Sequence, residues 1–401
     1  VMSHPAIKYA VVPALVWLVT VAGVRAVILV PEDCFAPEPE ILRARASLAA
    51  DWLIENQLGD GRYTYEYDVE QGQPTGGYNI VRHAGVTMSL YQVAGKLENR
   101  EAFEAAERGT EWLIENLHEH EDWVGPEEAG NIKVGAAGLM TVALGERRLL
   151  TGEDRYDDVM RGLGRFMRSQ QRDDGGYYTK WFVESQEMDR VSTSAYYPGE
   201  ALWGLAMLHE AFPGEGWDEA AWNTADFVTL RRDEVEDIPF PPLNDHWASY
   251  GLAEMAEWGL EEHHADYARG MAGRFSLLIR FEDQKTDEDL GWLTRGPERR
   301  AAALGTWVEG ASALWRLSAA DERLADLQDD LRDRSACGAG ILVDRQVMDT
   351  ASAELDGAWF DGGLTRMDDQ QHAISGLLYT ADALEGHERR EPERLSGVGG
   401  D

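Results

Sequence analysis

Arg82 and His83 are the sharpest chemical signal in this sequence, because they are adjacent in a stretch that is otherwise mostly apolar. Arginine is rarely buried without a partner, so Arg82 either pairs with a carboxylate such as Asp368 or binds an anionic substrate group. A cation that neutralises a substrate carboxylate, together with a tyrosine or histidine that moves a proton, suits epimerisation or β-elimination at C5 of a uronate sugar. Tyr78 and Tyr197 would complete such a set.

A second group of residues suits a different reaction. Glycoside hydrolysis needs two carboxyl groups several ångströms apart. Five candidates occur in comparable sequence contexts: Glu200, Asp245, Glu309, Asp361 and Asp369. The residue types alone therefore leave hydrolysis, elimination and epimerisation open.

Six polar clusters, each running into a helix of small and bulky apolar residues, carry most of these side chains. The clusters begin at Asn79, Asn131, Tyr196, Asn244, Thr306 and Asp369. A more charged, amphipathic stretch lies between consecutive clusters, and such regular self-similarity indicates a repeat architecture. The pattern predicts twelve helices, six inner and buried and six outer, that form a ring with the polar clusters around one mouth.

The apolar periodicity gives the bounds of these helices. The inner helices are predicted at 82–94, 132–144, 199–210, 247–258, 307–318 and 369–383, and the outer ones at 41–56, 100–117, 155–170, 218–231, 263–281 and 321–334. The long links between them, such as 57–78 and 171–195, are rich in Gly, Asp and Tyr. They are predicted to contain short β-hairpins.

This alternation resembles the (α/α)6 toroid enzymes, a superfold shared by six-hairpin glycosidases, unsaturated glucuronyl hydrolases, polysaccharide lyases, sugar epimerases, glucuronyl C5-epimerases and terpenoid cyclases. Segments 55–63 and 169–177 look like the Gln-x-x-x-Gly-Tyr repeats of triterpene cyclases. The resemblance implies an all-α (α/α)6 toroid over residues 37–386. The Asp-rich acid motif of a triterpene cyclase is not evident in the sequence, and 366–369 is its nearest approach.

In such a toroid the polar clusters would surround a shared hollow, where aromatic faces, amides and carboxylates suit a sugar. The candidate catalytic residues are Arg82, His83, Tyr197, Glu200, Asp245 and His372. The candidate substrate-binding residues are Tyr65, Tyr78, Asn79, Asn131, Tyr196, His246, Trp307, Glu309, Trp359, Asp369 and Gln371.

Plainer roles compete with these assignments. Asn79, Asn131, Asn244 and Asp369 stand where helix N-caps are expected. His246 and His372 could be core histidines beside caps. A metal site from Asp245, His246, Asp368 and His372 is a minor alternative, and no metal or cofactor is expected.

Composition limits the possible partners and surroundings. The formal net charge is -36, with no basic stripe to bind phosphates, so nucleic acid is an unsuitable partner. An acid-rich surface of this kind is typical of proteins that work in high salt. Cys34 and Cys337, the only cysteines, lie in unlike contexts and predict neither a disulfide framework nor a thiolate metal site.

The two ends of the chain differ from the repeats. Residues 9–30 are apolar apart from Thr20 and Arg25, so 1–36 are predicted as a signal anchor, a cleaved signal peptide or a helix that caps the ring. Lys8 before this segment and the acids after it favour a globular part outside the cytoplasm, either membrane-anchored or secreted. Residues 387–401 are predicted to be a disordered tail.

Together these observations predict a carbohydrate-active enzyme on an acidic, uronate-containing glycan, acting by hydrolysis, elimination or C5 epimerisation. The partners expected are the glycan and, through the N-terminal segment, a membrane. A non-catalytic glycan-binding toroid and an isoprenoid-processing protein are the alternatives. The oligomeric state is not predicted.

Overall fold

The computed structural model describes residues 5–28, 32–239, 243–285, 295–350, 352 and 354–387. The helices of these residues are α1 Pro5–Ile28, α2 Pro39–Glu55, α3 Ile80–Lys96, α4 Arg100–Glu115, α5 Val134–Thr151, α6 Asp157–Gln170, α7 Tyr197–Ala211, α8 Trp217–Leu230, α9 Arg232–Val235, α10 His246–Glu254, α11 Glu262–Asp283, α12 Ala301–Ala320, α13 Gln328–Arg345 and α14 Met367–Glu385. The predicted tail at 388–401 lies outside the described residues.

Six of these helices form a closed inner ring. Each of α3, α5, α7, α10 and α12 packs against the next inner helix, and α14 closes the ring by packing against both α12 and α3. The outer layer is α2, α4, α6, α8, α11 and α13. This arrangement confirms the predicted (α/α)6 toroid, and its core lies between and within the two rings.

Small residues let the inner helices approach closely, as at Gly138 of α5. A Cβ atom placed there would lie 2.5 Å from the carbonyl oxygen of Glu200 on α7, and one on Gly204 would lie 2.9 Å from the carbonyl oxygen of Gly138. Neither distance is compatible with a side chain. Two glycines facing each other thus bring α7 against α5 and set where the start of α7 lies.

Several predicted helix boundaries are wrong. Helix α5 ends at Thr151 rather than at 144, and α10 ends at Glu254 rather than at 258. Helix α12 begins at Ala301, six residues before the predicted start, and α13 covers 328–345 rather than 321–334. Residues Glu322–Leu327 form a 3-10 helix capped by Asp321. The glycines at 338 and 340 suggested a link, but they lie inside α13, where a Cβ on Gly340 would overlap the carbonyl of Phe35. Here glycine permits close packing and does not end the helix.

The two Gln-Gly-Tyr segments fasten outer helices together. Gln57 donates its amide to the carbonyl of Ala105 at 3.0 Å, and the Tyr63 hydroxyl bonds Thr87 at 3.1 Å. In the second copy Gln171 reaches Ala220 at 2.9 Å and Tyr177 bonds Thr224 at 2.7 Å. In both copies the glutamine bonds the next outer helix, whereas the tyrosine bonds a threonine on inner helix α3 in the first copy and on outer helix α8 in the second. The repeat motif therefore belongs to the scaffold.

Short strands occupy the long links, as predicted. They are β1 Glu66–Asp68, β2 Gln73–Pro74, β3 Leu117–His120, β4 Trp123–Glu128, β5 Asn131–Lys133, β6 Lys180–Phe182, β7 Glu187–Met188 and β8 Leu364–Arg366. They form two antiparallel sheets, in the order β2-β1-β8 and β3-β4-β5-β6-β7. Strands β5 and β8 lead directly into α5 and α14, so both sheets lie beside the mouth.

The segment before α2 is tied to the outer layer. Cys34 and Cys337 form a disulfide across 303 residues of sequence, which corrects the prediction that they do not pair. Glu32 also forms ion pairs with Arg280 at 3.0 Å and with Arg334. The pairing was not visible in the sequence because it depends on how segment 32–38 crosses α13.

Helix α1 carries apolar side chains that are largely exposed between Val11 and Val24. Across the described part of the chain, no helix combines the length and the apolar character needed to cross a membrane.

Candidate active site

Three residues from three inner helices meet inside the mouth: His246 on α10, Glu309 on α12 and His372 on α14. His372 Nδ1 lies 2.7 Å from Glu309 Oε2, and His246 Nε2 lies 3.7 Å from the same oxygen. Glu309 reaches the histidines from two turns inside α12, because that helix begins earlier than predicted.

Glu309 controls the proton of His372. The carboxyl is fully buried and accepts a hydrogen bond from the Tyr250 hydroxyl at 3.3 Å. Burial raises the pKa of Glu309, while His372 and the hydrogen bonds oppose that shift. When Glu309 is ionised it fixes Nδ1 of His372 as the protonated nitrogen, so Nε2 of the neutral ring is free to act as a base.

His246 is buried but unsatisfied. Neither of its ring nitrogens has a hydrogen-bond partner among the described residues. Its ring lies 4.2 Å from the Trp247 ring and 5.0 Å from the His372 ring, centroid to centroid. Burial, reinforced by the charge of His372, lowers its pKa well below the ordinary value. A neutral buried imidazole without a partner is costly, which makes this position a candidate for ligand binding.

Glu200, at the start of α7, is a buried carboxyl in a similar condition. Its Oε2 has no hydrogen-bond partner within the described residues, and a Cβ on Gly135 would overlap that atom. Burial raises the pKa of Glu200 to about 8, with Asp245 as the second cause. Glu200 is therefore a neutral carboxylic acid at neutral pH, able to donate a proton.

Asp245 has both oxygens engaged. Oδ1 accepts the Ala248 N–H at 3.0 Å as the N-cap of α10, and Oδ2 pairs with buried Arg232. Arg232 also donates to the Tyr267 hydroxyl at 3.0 Å. The structure thus places Asp245 where it fixes the start of α10, and therefore the ring of His246.

One helical turn before His372 on α14, a group of arginines surrounds two aspartates. Arg82 Nε and Arg366 Nη2 each lie 3.1 Å from Asp368 Oδ2, and Arg82 also donates to the Tyr65 hydroxyl. Asp368 precedes His372 by four residues, so the two share a face of α14. The Arg82 side chain is 30% exposed, which leaves its guanidinium accessible from the mouth.

The second aspartate, Asp369, belongs to the framework of this group. It binds Arg300 at 2.6 Å, caps α12 through the Ala302 N–H at 3.0 Å, and accepts the Arg366 N–H at 2.9 Å. Sequence reasoning did not select Arg300 and Arg366. Their signal was their position, since each directly precedes an inner helix.

His83 is not part of the cluster. Its Nδ1 accepts from the Tyr78 hydroxyl at 2.6 Å and its Nε2 donates to the Gly109 carbonyl on α4 at 2.8 Å. Burial lowers the pKa of His83 to about 3. With both nitrogens bonded between α3 and α4, His83 remains neutral, and Tyr78 is occupied in holding it.

Three further candidates have structural contacts. Asn79 caps α3 by accepting from Val81 N at 3.0 Å and Arg82 N at 3.3 Å. Asn131 is not a cap, because it lies in β5 and donates to the Ala129 carbonyl at 2.8 Å. Trp359 is buried and donates its indole N–H to the Leu342 carbonyl at 2.8 Å.

The remaining candidates lie nearer the cluster. Gln371 is buried beside Gly85, and its amide nitrogen has no partner in the described part of the chain. Tyr196 is 38% exposed, with its ring 6.2 Å from that of His246. Tyr197 lies against Gly135, and Trp307 is buried.

No family model matches the sequence, and no curated protein is significantly similar to it. Solved structures do match. Cellobiose 2-epimerase from Spirochaeta thermophila is 14% identical with a TM-score of 0.61, over 86% of this chain and 98% of that one. An unsaturated glucuronyl hydrolase specific for heparin is 12% identical with a TM-score of 0.61, over 86% and 98%.

An α-1,6-mannanase from Salegentibacter is similar in the same way, at 13% identity and a TM-score of 0.60 over 86% of this chain and 99% of that one. These structures are (α/α)6 toroids, and nearly the whole length of each aligns with this chain. The comparison therefore establishes the toroid fold.

Proposed function

We propose that this protein is a carbohydrate-active enzyme that moves a proton at a carbon of an acidic sugar, as in C5 epimerisation or β-elimination of a uronate. The observation that carries the proposal is the cluster at the mouth. His372 is oriented by Glu309, while His246 and the carboxyl of Glu200 are buried with unsatisfied polar atoms. Such atoms are stabilised when a polyhydroxylated ligand supplies their hydrogen bonds.

The side chains support a division of roles. Nε2 of His372 removes the C5 proton. His246, whose ring is nearly perpendicular to that of His372 with an interplanar angle of 80°, is the second base or acid. Glu200, neutral because of its raised pKa, donates to an oxygen that becomes negatively charged. Two titratable groups whose surroundings push their pKa values apart are a recurrent arrangement for a general acid and a general base.

Hydrolysis finds less support in the contacts. It requires a second carboxyl group, ionised and able to reach water or the sugar. Asp245 is bound by Arg232 and the α10 N-terminus, Asp369 by Arg300, and Glu309 by His372. Glu200 is buried with an unbonded oxygen, and Asp361, exposed in the turn before β8, is the one of the five candidates left to serve as the second carboxyl.

The arginines support an acidic substrate. Arg82 and Arg366 share one carboxylate oxygen of Asp368, so the pair of guanidiniums carries more positive charge than that aspartate neutralises. A uronate carboxylate is the kind of group that binds two such forks. Because Asp368 lies one turn from His372, a carboxylate held there would place the adjacent C5 towards the histidines.

The test is exchange with solvent. Purified protein would be incubated in D2O with uronate-containing oligosaccharides and, in parallel, with neutral disaccharides. We expect either deuterium at C5 of an epimerised uronate or a product with a C4=C5 double bond, detected by NMR and mass spectrometry. Cleavage that gives neither deuterium at C5 nor that double bond would point to hydrolysis and contradict the proposal. Deuterium at C2 of a neutral sugar alone would contradict the acidic substrate.

Two variants make the test specific. Arg82→Gln should raise KM for the uronate substrate more than it lowers kcat, because Arg82 binds the substrate carboxylate and takes no part in proton transfer. Trp359→Phe removes an indole contact in the core and should leave KM unchanged. Binding of the oligosaccharide with no exchange in any condition would favour a non-catalytic glycan-binding toroid instead.

We also propose that the domain works outside the cytoplasm, near a membrane and in high salt. The Cys34–Cys337 disulfide supports an oxidising compartment, the exposed apolar side chains of α1 support attachment to a lipid surface, and the net charge of -36 supports a saline medium. Flotation with lipid vesicles, comparing the full chain with one that lacks residues 1–31, tests the attachment. Equal flotation of both would exclude it.

A further inference from the structure

We propose that His246, Glu309 and His372 also bind a divalent transition-metal ion of the zinc class, and that the ion competes with substrate. The competition rests on the proposed function, whereas the binding does not. Each residue offers one ligand atom, and these atoms all lie within 4.8 Å of one another. His246 and Glu309 are buried and the His372 side chain is 12% exposed. The three come from three different helices, so the ring itself preorganises the site.

The distances are close to those that a metal requires. A tetrahedral ion about 2.1 Å from each donor holds its donors about 3.4 Å apart. The Glu309 oxygen lies 2.7 Å from His372 Nδ1 and 3.7 Å from His246 Nε2. The third edge, between the two histidine nitrogens, is at most 4.8 Å, so shifts of at most about 1.4 Å along the three edges would give a coordination triangle.

The donors also match the chemistry. Two imidazole nitrogens and one carboxylate suit zinc, cobalt or nickel, whereas calcium and magnesium prefer oxygen. His246 supplies an independent sign, because in the described structure both of its ring nitrogens lack a hydrogen-bond partner although its ring is buried. A neutral imidazole with a free lone pair is the form that binds a metal.

A second cluster of the same composition shows what is lacking elsewhere. Asp226, His263 and His264 also bring their ligand atoms within 4.8 Å, on the outer layer. There His264 Nδ1 accepts the Glu261 N–H at 3.2 Å, so the proton of the neutral ring is on Nε2, the atom that faces Asp226 at 3.1 Å. The outer cluster is also open to solvent, since the Asp226 side chain is 51% exposed whereas that of Glu309 is fully buried, and it serves as a matched control for the inner one.

Metal binding and proton transfer exclude each other at the inner cluster. An ion held there binds Nδ1 of His372 and the oxygen of Glu309, and the proton of Nδ1 moves to Nε2, so that His372 no longer has a lone pair with which to act as a base. The ion also takes the Nε2 lone pair of His246. The ion is therefore an inhibitor of the proposed reaction and not its cofactor.

Cobalt(II) is the probe, since its visible absorption reports nitrogen and oxygen ligation in a tetrahedral site. The full chain, freed of metal with a chelator, would be titrated with Co2+ and then with Zn2+ in competition. We expect one Co2+ per chain and an absorption band that Zn2+ abolishes. Glu309→Gln and His246→Ala should each weaken binding by about 100-fold or more, beyond the loss typical of an indirect partner.

The control is Asp226→Ala, which should leave the band and the stoichiometry unchanged. Circular dichroism of each variant shows whether it is folded. If a variant is unfolded, the proton NMR spectrum of the wild type shows which cluster binds the ion. Paramagnetic Co2+ shifts the ring signals of His246 and His372 if the inner cluster binds it, or those of His263 and His264 if the outer one does. Shifts at the outer pair, or no band at all, would overturn the proposal.

Activity separates the two proposals. Co2+ binding at the inner cluster together with deuterium exchange that Zn2+ suppresses supports both. Binding with no exchange in the metal-free protein supports the metal site and counts against the proposed function. Exchange that requires the metal would overturn the competition.

Discussion

The histidine at the start of α3 and the histidine at the start of α10 are both buried, but their partners differ. His83 has a partner on each nitrogen, the Tyr78 hydroxyl and the Gly109 carbonyl. His246 has none among the described residues, although Glu309 and His372 are close. The same residue type in comparable places of two repeats thus serves the scaffold at His83 and, in the function we propose, a ligand at His246, and hydrogen-bond saturation distinguishes the two.

Glycine accounts for part of this difference. His83 reaches a backbone carbonyl of α4 because residue 109 is glycine, where a Cβ would overlap the Tyr63 hydroxyl and lie 2.8 Å from the Thr87 hydroxyl. At the start of α10 the neighbours are instead the rings of Trp247 and His372. These pack against the imidazole of His246 and leave its nitrogens to a ligand.

The largest effect is expected from His372→Gln compared with His83→Gln. Loss of a positioned general base typically costs about 10²–10⁴-fold in rate, so His372→Gln should lower kcat by that factor. The amide of glutamine cannot accept the C5 proton. The measurement is deuterium exchange at C5 per folded molecule.

His83→Gln is the matched control and should keep kcat within about threefold of the wild type, since His83 touches α4 and not the cluster. Equal losses in both variants would break the distinction between the two histidines.

The next effect is a pH dependence of stability that Glu200 introduces. Its pKa is raised from 4.5 to about 8, so between these values the folded protein keeps a proton that the unfolded chain has released. Stability therefore falls as pH rises through this window. Glutamine cannot ionise, so the advantage of Glu200→Gln should grow from near zero at pH 4.5 by at most about 1.4 kcal/mol per pH unit.

Urea denaturation of the two proteins at pH 5, 6 and 7 measures this slope. Glu215→Gln is the control, because Glu215 lies on the surface and its pKa is lowered by Arg161. A constant difference between Glu200→Gln and the wild type at all three pH values would mean that Glu200 is ionised when buried.

A third effect concerns the saturated histidine itself. His83→Phe keeps the bulk of the ring but removes the acceptor of the Tyr78 hydroxyl proton and one donor to the Gly109 carbonyl, which should cost about 1–3 kcal/mol of unfolding free energy. The corresponding change at His246 removes no hydrogen bond, so His246→Phe should be near neutral or stabilising. A larger loss at 246 than at 83 in chemical denaturation would reverse the comparison.

The architecture was predictable because small and apolar residues recur with a helical period, and this pattern depends on nearby sequence. The bounds of α13 were not predictable, because the glycines at 338 and 340 permit close contacts with Val308 and Phe35, which lie far away in the chain. The disulfide between Cys34 and Cys337 depends on the same crossing of segment 32–38 over α13.

The candidate site shows a similar division. The sequence identified which polar residues stand at helix starts, and His246, His372 and Glu200 do lie around the mouth. It could not show which partners saturate His83, Asp245 and Asp369, because Gly109, Arg232 and Arg300 lie 26, 13 and 69 residues away from them in the chain. The role of a polar side chain here depends on its tertiary contacts, which the spacing does not encode.

The smallest effect separates two asparagines that the sequence treated alike. Asn79 caps α3 with contacts of 3.0 and 3.3 Å to two backbone N–H groups, and replacing such a cap by alanine costs about 1 kcal/mol. Asn131 donates one hydrogen bond within a turn at the surface, so Asn131→Ala should change unfolding free energy by less than about 0.5 kcal/mol. Both changes are small enough to need paired denaturation curves with a common slope. If Asn131→Ala lowered exchange at C5 while Asn79→Ala did not, Asn131 would belong to the substrate site despite its place in β5.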